Sequence, residues 1–82
     1  VAAGAMKAAR RLSLRLPEEL AVTGLDDASV CGMLEPELTS VHIDCRRMGE
    51  LSGERLQSLL AGDENVPQVT VVPTELRVRR SA

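Results

Sequence analysis

The chain contains no Phe, Tyr or Trp. The largest core-filling side chains are therefore missing, and any interior must be built from Leu, Val, Ala, Met and Ile. Histidine occurs once, as His42, and cysteine twice. Cys31 and Cys45 lack CxxC spacing, which argues against a zinc site and a dense disulfide framework. No metal or cofactor is expected. No apolar run approaches the ~18 residues of a spanning helix, and no stretch has the build of a signal peptide. No membrane is expected, and the expected location is the cytoplasm. Excess basic charge is also lacking. The net charge is −2, whereas a nucleic-acid-binding surface is normally basic. The pairs Arg10-Arg11, Arg46-Arg47 and Arg79-Arg80 are separated by acidic residues and read as solvated faces and ion pairs.

What remains suits one small domain or part of a larger one. A chain of 82 residues buries only about 60–65% of its unfolded surface, so it is expected to be marginally stable alone. Val1 to Leu12 is rich in helix formers, with Ala2, Ala5, Met6, Ala9 and Leu12 on one stripe. No capping residue precedes this stripe, which reads as a truncated helix start. Leu16-Pro17 ends the run. Leu20 to Leu25 is short and mostly apolar, as in a strand covered on both faces. Asp27 and Ser29 suit the cap of a short helix over Ala28 to Leu34. Leu38 to Ile43 reads as a second strand. Asp44 caps a helix over Cys45 to Ala61 that stops at Gly62. Its apolar stripe is Met48, Leu51, Leu56, Leu59 and Leu60. Val69 to Val72 reads as a strand, and Leu76 to Arg79 alternates like an edge strand. Helix and strand thus alternate, which predicts an α/β fold with a mostly parallel sheet flanked by helices.

Ligands of such sheets bind beyond the carboxyl ends of strands. Asp26 and Asp44 occupy two such ends. The GLDD run that contains Asp26 and Asp27 admits four readings: acid/base pair, metal ligands, helix cap and ligand contact. Adjacent residues at a strand end point in different directions, and no nucleophile or further ligand accompanies them, so an enzyme is not expected. Asp27 reads as the cap, and Asp26 as an acceptor of hydrogen bonds from sugar hydroxyls or base N–H groups. Cys45 and Met48 lie on the first turn of the long helix, where Met48 suits either the core or a pocket wall. His42 reads as an ordinary polar side chain on its strand. Val30, Met33 and Leu34 form an apolar patch suited to a partner chain.

The opening AAGAMKAARRLSLRLPEELAVTG, then GLDD, PELTSV, a helix containing Met48-Gly49 and the closing ELRVRRS together resemble the effector domain of the lactose-repressor (LacI/GalR) family. The resemblance spans essentially the whole chain. It implies the C-terminal subdomain of a type I periplasmic-binding-protein-like fold, with the N-terminal subdomain and DNA-binding headpiece outside residues 1–82. It also implies a ligand-responsive bacterial transcription regulator, whose effector is a sugar or a nucleobase-like molecule. Operator DNA would be bound only through the headpiece. Asp26 matches the family's effector aspartate, and Cys45 and Met48 match its pocket-lining helix start. A homodimer is implied, with Ala3, Met6 and Lys7 of the first helix and Val30, Cys31, Met33 and Leu34 in its interface. Two departures stand out. Ser13 replaces a glycine that gives the first helix a left-handed stop, and Cys45 stands where the lactose repressor has an aromatic against the ligand. A periplasmic solute-binding protein for sugar transport shares the fold and is the alternative.

Overall fold

The computed structural model describes residues 1–82. The elements are α1 (Ala2–Arg11), β1 (Thr23–Leu25), a 3-10 helix (Ser29–Met33), β2 (Thr39–Ile43), α2 (Cys45–Leu60) and β3 (Thr74–Arg77). They divide into two compact units. The first comprises Val1–Ile43 with Thr74–Ala82, and the second Asp44–Pro73.

In the first unit the strands form one sheet in the order β1-β2-β3. β1 and β2 are parallel, with Gly24 beside Ser40, whereas β3 runs antiparallel to β2, with Arg77 beside Ser40. The sheet is therefore mixed rather than mostly parallel. β1 is also shorter than the expected Leu20 to Leu25, and it lies at one edge with Thr23 and Leu25 exposed. The reason is local: the Val22 N–H donates to the carbonyl of Ser81 at 2.9 Å instead of joining a ladder. Gly24 provides close approach. A Cβ there would stand 3.0 Å from Leu38 Cδ2 and 3.4 Å from Ser40 Oγ.

The core is small, as the missing aromatics require. Met6, Cys31 and Leu38 are buried together, with Ala2, Leu16, Val22 and Leu34 packed against them. Polar groups complete this interior. Ser81 is fully buried; its hydroxyl accepts from the Thr39 N–H at 2.9 Å and donates to the Val22 carbonyl at 2.6 Å. The Arg80 and Ser81 N–H groups both donate to the Glu37 carbonyl. The segment after β3 thus binds the entrances of both parallel strands.

α1 ends in a Schellman stop. The Ser13 N–H donates to the Arg10 carbonyl and the Leu14 N–H to the Ala9 carbonyl, both at 3.0 Å. Such a stop needs a left-handed residue, and Ser13 has φ 58°. α2, in the second unit, ends in the same way. Gly62 at φ 82° donates to Leu59, and Asp63 donates to Ser58. The two stops differ in one atom that matters, the Cβ of Ser13. A left-handed conformation costs an L residue roughly 1–2 kcal/mol, so Ser13→Gly should stabilise the protein by about 1 kcal/mol. A rise in the thermal midpoint relative to wild type is the expected reading.

The second unit contains α2 and the segment to Pro73. No α2 residue is buried; Met48, Leu56, Leu59 and Leu60 of its apolar stripe are exposed and Leu51 is half-buried. The expected strand over Val69 to Val72 does not form. Its β-branched residues suit a strand, but a strand needs a partner ladder, and this unit contains no other one.

Candidate functional site

The chain leaves β1 through two left-handed residues, Asp26 at φ 79° and Asp27 at φ 48°. This region is disfavoured for side chains with a Cβ, least so for Asp and Asn. The turn gives the two carboxylates different surroundings.

The Asp27 side chain is only 5% exposed. Its Oδ1 lies 2.7 Å from Arg79 Nη2, off the axis of an aligned hydrogen bond. Its Oδ2 lies 3.2 Å from His42 Nδ1 and 3.5 Å from Arg77 Nη1. Its backbone N–H donates to Ser40 Oγ at 3.1 Å. Arg79 is anchored in turn: Nη1 donates to the Leu38 carbonyl at 2.7 Å, and its backbone N–H donates to Thr39 Oγ1 at 2.8 Å. A buried carboxylate needs such partners to remain charged. The Arg79 side chain lowers the Asp27 pKa most, burial opposes it, and the charges of Arg79 and Arg77 and the His42 contact lower it further. The net result lies below the ordinary 3.8. Asp27 is therefore an ionised hub and not the expected helix cap. The 3-10 helix starts after Ala28, with no side-chain cap bond, because the Asp27 carboxylate is turned toward the arginines.

Asp26 is exposed and forms no ion pair. It contributes the only carboxylate to the wall of an open, mostly apolar cleft of about 570 Å³ in the same unit. Ala2, Gly24, Ala3, Val30, Cys31 and Leu34 are among the other lining residues, so part of this wall coincides with the surface expected to meet a second chain, and neither Cys45 nor Met48 lines it.

Cys45 and Met48 belong to the second unit, on the first turn of α2. The Asp44 carboxylate caps that turn by accepting from the Arg47 N–H at 2.9 Å. Both candidate side chains are exposed, so Met48 is not a core residue.

The expected interface divides. Ala3, Lys7, Val30 and Met33 are exposed, and Leu34 is half-buried against the core. Met6 and Cys31 are 5% and 3% exposed and must be removed from that set. Met6 and Ala9 share the stripe of α1 that faces the core, and the 3-10 helix turns Cys31 into the same interior. A residue buried in its own subunit has no surface to offer another.

Sequence reasoning passed over Arg77, Arg79, Ser81 and the contact of His42. Their signal was the alternation within ELRVRRS, where residues 77, 79 and 81 recur with a period of two. It reads as an ordinary edge strand unless GLDD is known to lie beside it.

Comparison with known proteins accords with this geometry. The Periplasmic binding protein-like domain family matches residues 1–82. The repressor PurR of Yersinia enterocolitica is 33% identical over 81 residues, covering 99% of this chain and 24% of the relative. A complex of the transcriptional regulator CelR with cellobiose superposes with a TM-score of 0.91 at 33% identity, covering 99% of this chain and 25% of that one. The lac repressor dimer bound to operator and the anti-inducer ONPF gives 0.90 at 31% identity, covering 98% and 24%. The chain belongs to the periplasmic binding protein-like domain family, and the relatives it is similar to are transcription regulators such as CelR, PurR and the lac repressor. It spans about a quarter of the length of these curated relatives.

Proposed function

We propose that residues 1–82 form the C-terminal part of the effector-binding and dimerisation region of a bacterial ligand-responsive transcription regulator. The observation that carries this reading is the state of Asp26. It stands at the carboxyl end of β1, on the wall of an open cleft, uncommitted to any ion pair. Its two oxygens can accept hydrogen bonds from vicinal hydroxyls or a base N–H edge, which suits a sugar or nucleobase-like effector. Cys45 and Met48 are proposed as further effector contacts, each on the strength of its exposure. Lys7 and Met33 are proposed to face a second copy of the chain, together with Ala3, Val30 and Leu34, which also line the cleft and would be shared between the two contacts. The effector changes operator affinity through unequal affinity for two conformations, and operator DNA is contacted by a separate headpiece.

The test uses the full-length protein on its operator with a panel of monosaccharides, disaccharides and nucleobases. At least one compound should change operator affinity and bind saturably by calorimetry. A panel with no binder in any class would count against the reading. Export as a solute-binding protein is the second reading, and the regulator names of the relatives weigh against it.

A further inference from the structure

We propose that Asp27 is a positioning residue, clamped by Arg79 and Arg77, that holds the left-handed turn and so presents Asp26 to the cleft. The inference rests on the reading of Asp26 as the effector contact.

Two consecutive left-handed residues bearing a Cβ require compensation from outside the turn. Every compensating contact here is made by Asp27. Its N–H is fixed to Ser40 Oγ on the central strand. Its carboxylate meets His42 on that strand, Arg77 at the end of β3 and Arg79 just beyond it. Arg79 is itself tied to Leu38 and Thr39 at the start of β2. The turn is thereby fastened to two strands at both of its polar handles. The same contacts also engage the two nearby arginines. Asp26, one residue away, is left without a cation and keeps its acceptors for another molecule.

The experiment follows the backbone directly in the full chain. Amide hydrogen exchange is measured for Asp27, and for Val41 and Ile43 of β2 as internal references, in wild type, Asp27→Asn, Arg79→Ala and Arg79→Lys. Asp27→Asn and Arg79→Ala should each accelerate exchange at Asp27 at least tenfold while Val41 and Ile43 hold. Arg79→Lys, which keeps the charge, should restore part of the protection. Unchanged protection at Asp27, or equal loss at Asp27 and in β2, would overturn the positioning role, since the latter describes mere loss of fold.

A second arm uses cellobiose as the probe in a cycle of Asp26→Gly and Asp27→Asn. If Asp27 acts through Asp26, the double variant binds cellobiose no more weakly than Asp26→Gly alone. Additive losses contradict the coupling. Cellobiose binding indifferent to Asp26→Gly, with the exchange result intact, removes the effector assignment and leaves the clamp standing.

Discussion

Asp26→Gly should weaken the effector that acts on operator binding by about 10- to 150-fold, without lowering the thermal midpoint. The magnitude follows from the ~1.5–3 kcal/mol of a hydrogen bond to a charged group. The separation from stability follows from the structure. Asp26 is exposed, makes no ion pair and sits at φ 79°, where glycine is at least as comfortable. Alanine would confound the measurement, because its Cβ retains the strain and replaces the polar group that tolerates it. Calorimetric titration of the full-length protein reads the affinity, and a melt reads the stability. An affinity within twofold of wild type would remove Asp26 from the site.

Ser81→Ala should be the most destabilising of these substitutions, by about 2–4 kcal/mol. Removing one hydroxyl strands two backbone groups, the Thr39 N–H and the Val22 carbonyl. An unsatisfied buried group costs roughly 1–3 kcal/mol. The site is fully buried, so water cannot substitute without opening the structure. Arg80→Ala, at the exposed neighbour, serves as the control and should stay within about 0.5 kcal/mol of wild type. Denaturant unfolding of both variants checks the contrast. Equal midpoints for the two would show that the buried hydroxyl contributes nothing.

Much of the fold was legible because its signals are local. Asp44 and Gly62 bracket α2 in sequence, and the helix runs Cys45–Leu60 against an expected Cys45 to Ala61. Thr39, Val41 and Ile43 marked β2 to within one residue. The errors share a different cause. Val69 to Val72 has strand composition, but pairing is a property of neighbours, and none stands beside it. Met6 and Cys31 look like any other apolar residues of their elements until packing decides which stripe faces inward. The surroundings of Asp27 were not visible in GLDD. The resemblance and the strand-end position singled out Asp26, yet the role of Asp27 depends on Arg79, 52 residues later (79 − 27). Spacing within a motif carries no information about a partner at that distance.

The first unit is interrupted in the chain by the second: Val1–Ile43 on one side, Thr74–Ala82 on the other. During synthesis the ribosome therefore delivers β1 and β2 long before the residues that fasten them. Until residue 81 has emerged, Thr39 and Val22 lack their hydroxyl partner, and Asp27 lacks the counter-charge of Arg79. The contacts that fasten this unit can therefore form only after the insert has been made. A nonsense codon directly after position 77 would release a polypeptide containing every helix and strand described above, yet unable to keep them in place.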